Sequence, residues 1–299
     1  MDRFEAMSLF VAAVESGSFS AASRRLGVPL PTVSRKVGDL ETHLNTRLLV
    51  RTTRKLALTD AGAAYLAACR TILEQVGEAE RAAAGEYVTP KGDLIIAAPI
   101  VFGRLHVLPV VNAFLATFPD INVQMVLSDR NADLVADHID LTVRIGALPD
   151  SSMVATRVGA VRRVVCASPA FLAAHGTPKT PDDLARLPCI TFGTIGSGSW
   201  LFAAKRRHAV RHLPVQARLA VNTAEAALDA AVAGVGLTQV LSYQAAQAVR
   251  DKRLKIVLKA FEVEPLPVHI LYPAQPRPPL KLRSFLEFAV PRLRKSAAA

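Results

Sequence analysis

The sequence predicts an α/β protein whose N-terminal part is all-helical, and two patterns carry this prediction. Up to about residue 88, apolar residues recur at steps of three and four, which is the period of a helix. Beyond the segment Thr89-Pro90-Lys91-Gly92, short apolar runs alternate with helical patterns. Such alternation is typical of α/β layers with mainly parallel sheets. The 299 residues suffice for two or three domains.

Three short helices are predicted at the start of the chain. The first spans residues 4–16 and stops at Gly17. Ser18 can cap a second helix, which ends at Gly27 as a left-handed C′ residue. Pro31 suits the first turn of a third helix because it has no N–H to leave unpaired. The third helix buries an apolar stripe that consists of Val33, Val37, Leu40 and Leu44.

A helix, a glycine turn and a second helix form the layout of a helix-turn-helix, whose second helix enters the major groove of DNA. Residues 24–55 carry eight basic and two acidic side chains, within a chain of net charge +11, and this excess suits a polyanion. Arg35 is the best candidate for reading a base, because its planar fork matches guanine O6 and N7. The other candidates are Pro31, Thr32, Ser34 and Lys36 on the same helix, with Ser18, Ser20 and Ser23 expected at the DNA backbone.

Residues 46–62 predict a two-stranded wing beside that helix. Its basic, hydroxyl-bearing tip (Arg51, Thr52, Thr53, Arg54) lies between the apolar flanks 48–50 and 56–58. Such a tip can grip phosphates or reach a minor groove. An ordinary surface hairpin is the alternative interpretation.

A long helix, residues 60–88, is predicted to follow the cap Thr59. Its apolar seam comprises Tyr65, Cys69, Ile72, Val76, Ala79 and Ala83. A seam of this spacing suits a partner helix, which favours a dimerisation helix. The alternative is that the helix lies along its own domain.

In the remaining chain, strands are predicted at 93–98, 121–127, 139–145, 162–167, 213–221, 235–240 and 267–272. Helices are predicted from the first strand to about 117, at 131–138, at 223–233 and at 280–295. Ligands of such sheets bind outside the carboxyl ends of the strands.

The residues give no sign of catalysis, a metal site or a cofactor. His208 and His212 have the spacing of helical metal ligands but stand among basic residues that oppose a cation. Cys69, Cys166 and Cys189 are far apart, which fits a reducing cytosol. We expect a cytoplasmic protein without a signal peptide or membrane association, since no apolar run reaches about 20 residues.

Residues 4–62, FEAMSLFVAAVESGSFSAASRRLGVPLPTVSRKVGDLETHLNTRLLVRTTRKLALTDAG, closely resemble the N-terminal module of LysR-type bacterial transcriptional regulators. Residues 118–178 look like the effector domain of the same family and are most similar to its CrgA-like branch. The resemblance implies a winged helix-turn-helix (1–59), a linker and dimerisation helix (60–88) and an effector-binding domain (92–299). That domain should have two α/β subdomains like those of periplasmic binding proteins, 92–162 with 267–299, and 163–266.

The implied function is sequence-specific promoter binding, modulated by a small molecule in the cleft between the subdomains. Backbone N–H groups of residues 98–104 could hold a carboxylate, although Pro99 and Ile100 replace the Ser or Thr of many relatives and favour an apolar pocket. Arg144 could pair an anionic ligand or form an interdomain salt bridge, and Trp200 is either a cleft wall or core. The other candidates are Val101, Phe102, Ser128, Gly146, Phe202, Asn222 and Thr223.

The implied partners are double-stranded operator DNA, a small organic effector that is an acid or an aromatic compound, and RNA polymerase. The resemblance also implies a homo-oligomer, a tetramer with paired linker helices, with larger rings as the alternative. Two other function classes compete with this interpretation. One is a small-molecule binding protein without a DNA-binding role, and the other is an α/β enzyme with a basic surface.

Overall fold

A computed structural model describes residues 2–51, 56–83, 89–129, 139–148, 153–193, 198–204, 210–275 and 278–297. The chain forms a small N-terminal unit, a long helix and two five-stranded sheets. Within the described ranges this arrangement confirms the predicted fold class, an α/β protein with a helical N-terminal part.

The N-terminal unit, called the head below, consists of residues 2–51 and 56–59. It contains α1 (Arg3–Glu15), α2 (Phe19–Leu26), α3 (Leu30–His43) and the antiparallel strands β1 (Leu49–Arg51) and β2 (Leu56–Leu58). The three predicted helices and the hairpin are therefore confirmed. The caps are also as predicted, because Ser18 Oγ accepts a hydrogen bond from Ala21 N (3.1 Å) and Gly27 adopts φ 65° at the end of α2. The head encloses its own apolar core, which includes Phe10, Val33, Val37, Leu40 and Leu48.

The long helix α4 (Asp60–Ala83) packs its first half on the head. Leu66 and Cys69 are buried in the head's core, and the Tyr65 ring lies 6.0 Å from that of Phe10. Tyr65 and Cys69 of the predicted seam therefore pack within their own domain. For this half of the helix, the structure agrees with the alternative that the helix lies along its own domain. The later members Ile72, Val76 and Ala79 are half-buried or exposed, so they remain open to a partner; the side chain of Ala83 and residues 84–88 lie outside the described part.

The remaining strands are β3 (Gly92–Ala98), β4 (Ile121–Leu127), β5 (Leu141–Ile145), β6 (Met153–Val161), β7 (Arg163–Ala167), β8 (Cys189–Phe192), β9 (Ser199–Ala203), β10 (Val210–Pro214), β11 (Ala217–Val221), β12 (Leu237–Leu241), β13 (Lys255–Val257) and β14 (Leu266–Pro273). The helices among them are α5 (Ile100–Phe102), a π turn (Gly103–Val107), α6 (Leu108–Thr117), α7 (Pro169–His175), α8 (Ala224–Val232), α9 (Ser242–Arg250) and α10 (Leu280–Ala297), with short 3₁₀ turns at Pro181–Arg186 and Lys259–Phe261.

Both large sheets are mixed, which corrects the expectation of mainly parallel pairing. The first has the order β4-β3-β5-β14-β6 and the second β11-β8-β12-β7-β13. In each sheet one strand, β14 or β7, runs against the other four and makes antiparallel pairs on both sides. These are the strands by which the chain enters one sheet directly from the other. A parallel strand needs a long crossover connection from its neighbour, usually a helix. These two strands arrive from the other sheet instead, so each can run antiparallel to both of its neighbours.

Two predicted elements differ in the structure. The predicted strand 213–221 is divided between β10 and β11, because β10 pairs with β9 in a separate hairpin whereas β11 joins β8 in the second sheet. The predicted helix at 131–138 lies outside the described residues. The sequence analysis also missed elements such as β6 and α9.

The helical segment Ile100–Thr117 is long and apolar enough to cross a membrane by length and composition. It packs here on the first sheet, with Phe102, Val107 and Phe114 in the same core cluster as Phe285 of α10. This burial identifies it as a core helix of an α/β sheet.

A close approach between α4 and the wing requires glycine at position 62. A Cβ at this position would lie 1.9 Å from the carbonyl oxygen of Leu48. Gly38, in the middle of α3, is a matched contrast because a Cβ there would meet nothing within 4 Å.

We therefore expect Gly62→Ala to lower the free energy of unfolding by about 1–3 kcal/mol, since the clash outweighs the helical preference for alanine. Gly38→Ala should raise it by about 0.5–1 kcal/mol, the usual gain in a helix interior. Denaturant unfolding of both variants measures this difference. Equal stability of the two variants would contradict the close packing of α4 on the wing.

Candidate nucleic-acid interface and ligand cleft

The orientation of α3 is set by its apolar stripe. Val33, Val37 and Leu40 are fully buried against the rest of the head. Pro31 and Arg35 are exposed on the other side of the helix. The head therefore presents the guanidinium of Arg35 to the outside, as the sequence predicts for a base-reading residue.

Lys36, another predicted DNA contact, has a partner within the head. Its ammonium pairs with the carboxylate of Glu5 on α1, and only 21% of its side chain is exposed. Lys36 follows Arg35 by one residue and therefore lies on the face of α3 that is directed toward α1. Its ion pair with Glu5 connects α3 to α1. The structure thus separates it from Arg35, although the two are adjacent in the sequence.

The serines of the turn are used within the head. Ser18 Oγ caps α2, and Ser23 Oγ donates a hydrogen bond to the carbonyl of Val28 (2.6 Å), which closes the connection to α3. Ser20 is exposed on α2. Ser18 and Ser23 therefore shape the turn that the predicted DNA contacts depend on, and Thr32 and Ser34 lie half-buried beside the exposed face of α3.

The wing is tied directly to α3. Glu41 Oε1 accepts hydrogen bonds from the backbone N–H groups of Leu48 (2.8 Å) and Leu49 (3.0 Å), at the start of the hairpin. Thr52, Thr53 and Arg54 lie outside the described residues, and for Arg51 only the strand is described. The hydrogen bonds from Glu41 hold the base of the wing at a fixed distance from Arg35.

The carboxyl ends of three strands meet at one edge of the first sheet. The register pairs Ala98 with Leu127 and Ala97 with Thr142, so Pro99, Ser128 and Gly146 follow neighbouring strands. Ser128 and Arg144 are half-buried and each has an interaction partner. In the second sheet, Asn222 is exposed after β11, and Thr223 Oγ1 caps α8 by accepting from Ala226 N (3.3 Å).

An aromatic contact joins the two sheets beside this edge. The ring of Phe102 lies 5.3 Å from that of Tyr243, edge to face, and His106 lies 4.7 Å and 5.7 Å from these two rings. Val101 and Phe102 are themselves buried, at 3% and 0% exposure, so they present little surface to a ligand. Sequence reasoning missed His106 and Tyr243. The only available signal for Tyr243 was its place two residues after a buried strand.

The start of the α5 helix is already occupied by a carboxylate of the protein. Asp129 Oδ1 accepts a hydrogen bond from the backbone N–H of Ile100 (3.1 Å). Burial raises the pKa of Tyr243, and the carboxylates of Asp129 and Glu225 raise it further. The loop after the neighbouring strand therefore already supplies a carboxylate to the N–H of Ile100. The binding of a ligand carboxylate by the N–H groups of residues 98–104 stays a prediction.

Trp200 and Phe202 are placed in the core. They are 5% and 2% exposed and belong to the cluster under the second sheet that includes Phe171 and Leu184. Gln239 of β12 fixes their strand, since its side chain bonds both the N–H (3.1 Å) and the carbonyl (2.9 Å) of Leu201. This burial agrees with the core alternative for Trp200, whereas a contact of either residue with a ligand stays a prediction.

The long helix α4 contacts the first sheet and α10 through charged side chains. Lys281 Nζ of α10 lies 3.2 Å from Glu74 Oε2 on α4 and 3.7 Å from Asp140 Oδ1, and it donates to the carbonyl of Asp93 (2.7 Å). Beside it, an open crevice of about 1140 Å³ separates α4 from the amino ends of β3 and β4. Glu15 on α1 forms an ion pair with Arg70 of α4 (3.2 Å), which lies one helical turn before Glu74. Ion pairs thus run from the head through α4 to the sheet.

The described residues show no metal-binding cluster of three or more His, Cys, Asp or Glu side chains. The three cysteines are free and buried. Burial raises the pKa of Cys69 to about 11 and those of Cys166 and Cys189 to about 12, so these thiols are protonated and poor nucleophiles at neutral pH.

Two family models together cover most of the chain. Residues 4–63 match the bacterial regulatory helix-turn-helix protein of the lysR family, and residues 89–294 match the LysR substrate-binding domain. The two matched segments correspond to the head with the start of α4, and to the two sheets.

Full-length relatives show the same combination. The chain is 34% identical to an HTH-type transcriptional repressor of Pseudomonas aeruginosa, over 97% of this chain and 92% of the relative. It is 31% identical to the transcriptional activator AaeR of Escherichia coli, over 95% and 91%. Among solved structures, CrgA of Neisseria meningitidis, a LysR-type transcriptional regulator, aligns with 97% of this chain and 98% of its own, at 29% identity and a TM-score of 0.62.

Acid should weaken the contact between the sheets through His106. Burial lowers the pKa of His106 below the ordinary value of about 6.5. Below about pH 6.5 the unfolded chain binds a proton at this histidine that the folded chain does not. The free energy of unfolding should therefore decrease as the pH is lowered. His106→Gln should show a shallower fall than the wild type below about pH 6.5.

The measurement is denaturant unfolding across pH 5–8, with the exposed His43→Gln as control. His269, whose pKa is also lowered by burial, is present in all three proteins and does not affect the comparison. If the free energies of unfolding of wild type and His106→Gln changed with pH in parallel, protonation of His106 would not be coupled to the stability of this contact.

Proposed function

The chain belongs to the LysR family of bacterial transcriptional regulators, which bind DNA through the helix-turn-helix and small effectors in the regulatory domain, and we propose that Arg35 reads a base of its operator. The observation that carries this proposal is the exposure of Arg35 on the face of α3 opposite its buried stripe. A guanidinium presented by a second helix in the major groove can make paired hydrogen bonds to guanine.

We propose the division into a DNA-binding domain (1–59), a linker helix (60–88) and an effector-binding domain (92–299) with subdomains 92–162 plus 267–299 and 163–266. The separate apolar cores of the head and the two sheets support it. Proposed base contacts are made by Arg35, with Pro31, Thr32 and Ser34 around it. Proposed contacts to the DNA backbone are made by Ser18, Ser20, Ser23, Lys36 and the wing tip at residues 51–54.

For the effector, we propose a neutral or cationic organic molecule that binds beside the aromatic contact of Phe102 and Tyr243. Asp129 already satisfies the backbone N–H of Ile100, so an incoming carboxylate would have to displace it. The carboxylates of Asp129 and Glu225 give the region a negative field, which favours a cation and opposes an acid. The half-buried ring of Tyr243 suits the flat, apolar body of such a ligand.

The signal is proposed to reach the head through α4. Effector binding changes the relation of the two sheets, and Lys281 connects the first sheet to Glu74 on α4. An ion pair beside an open crevice tolerates displacement better than a packed apolar seam. A shift in the population of two arrangements would then alter the spacing of paired heads on a bent operator.

Pairing of α4 through Ile72, Val76 and Ala79 would build a homo-oligomer, for which we propose a tetramer, with larger rings as the alternative. RNA polymerase is proposed as a further partner and the cytoplasm as the location. The two named relatives are a repressor and an activator, so family membership leaves the direction of control to experiment.

A gel-shift assay against the chain's own upstream DNA tests the central proposal. A sequence-selective shift that weakens steeply with salt supports a regulator, because Lys and Arg contacts to phosphates release counterions. Binding of small molecules without any DNA shift would support a binding protein instead, and turnover would support an enzyme.

Arg35→Ala should weaken binding to the selected operator by about 1–3 kcal/mol and blur the preference at one base pair. Arg35→Lys should also lose that preference, since it keeps the charge but not the fork. Lys36→Ala is the neighbouring control and should keep the wild-type base preference, because Lys36 pairs with Glu5. Binding constants on single-base operator variants measure these differences, and an unchanged preference in Arg35→Ala would contradict the assignment.

Asp129→Asn should weaken the binding of a cationic effector about tenfold, the usual scale of a charge-assisted hydrogen bond. A thermal-shift screen of organic amines, neutral aromatics and organic acids against wild type and variant measures this. Glu287→Gln, an exposed substitution on α10, is the charge-matched control. An acid that binds the wild type, and binds Asp129→Asn more tightly, would contradict the proposed effector class.

A further inference from the structure

We propose that Leu30 is a specificity-determining residue that reads the 5-methyl group of a thymine in the operator. The inference rests on the proposed function, since it requires α3 to lie in the major groove. It adds a hydrophobic contact to the polar readout assigned to Arg35.

Leu30 is exposed where an apolar side chain has no structural reason to be. Its exposed fraction is 41%, and it belongs neither to the head's apolar core nor to the partly buried residues that pack around it. The residues at the next helical positions behave differently, because Val33 and Val37 are fully buried. Leu30 therefore lies outside the apolar core of the head.

Its position places it at the leading end of the helix. Leu30 is the first residue of α3, with Pro29 as the N-cap and Pro31 next in the chain. Helical side chains lean toward the N-terminus, so Leu30 projects beyond the first turn. In a helix-turn-helix, the residues at this end of the second helix contact the base edges.

The chemistry of the groove selects the target. Leucine offers no hydrogen bond to a phosphate or to a base edge. The apolar feature that base pairs display in the major groove is the C5-methyl of thymine. Two flanking prolines restrict the backbone on both sides of Leu30, so little conformational entropy opposes the contact.

The test compares thymine with deoxyuridine, which differs only by lacking that methyl group. The full-length wild type first selects its site from a random duplex library, and each thymine of the site is then replaced singly by deoxyuridine. We expect one position in each half-site where the replacement weakens wild-type binding about fourfold, the ratio that burial of one methyl group gives. Leu30→Ala should bind the thymine and deoxyuridine sites equally.

Leu26→Ala is the matched control, because Leu26 is equally exposed at 41% but ends α2 outside the second helix. It should keep the wild-type ratio, and thermal unfolding should show that all three proteins fold. The inference is overturned if no thymine shows a methyl dependence, if Leu30→Ala keeps the ratio, or if Leu30→Ala changes only the oligomeric state in sedimentation, which would assign Leu30 to a contact between copies. Failure to select any sequence would instead reject the proposed DNA function.

Discussion

Burial of one apolar stripe on α3 is the constraint on which the head depends. Val33, Val37 and Leu40 have no exposed surface, and the helix cannot rotate without bringing them into water. Because a helix advances 100° per residue, that stripe decides that Arg35 points outward while Lys36 turns toward Glu5. Glu41 on the same helix holds the start of the wing, so both proposed DNA-contacting elements share one rigid support.

The connections between the parts differ in kind from the cores within them. The head, the first sheet and the second sheet each have a dense apolar core, whereas α4 is tied to the first sheet by the ion pair of Lys281 and Glu74 beside an open crevice. An ion pair holds two elements together at one point, whereas an apolar core holds them over a whole face. This division suits a protein whose parts must move relative to one another while each keeps its own shape.

The cleft region is defined by groups that the protein provides to itself. Asp129 satisfies the N–H of Ile100, and Tyr243 fills the space beside Phe102. A ligand at the proposed site would compete with these contacts, and its binding free energy would be the difference between the two sets. Such competition would connect the proposed ligand to the relation of the two sheets, because Phe102 lies on α5 after a strand of the first sheet and Tyr243 on α9 after a strand of the second.

The sequence by itself determined the helix-turn-helix, the wing and the alternation of strands and helices. These depend on local signals such as the Ser18 cap, the left-handed Gly27 and the period of the apolar residues, which neighbours in the chain carry. Only the tertiary structure decided which side chains were already engaged, because Lys36 with Glu5 and Asp129 with Ile100 are pairs distant in the sequence. The same holds for Trp200, whose burial depends on the bonds of Gln239 to a strand 38 residues earlier. Periodicity records which face of an element is apolar, whereas the partner of a polar group is fixed only when separate elements pack together.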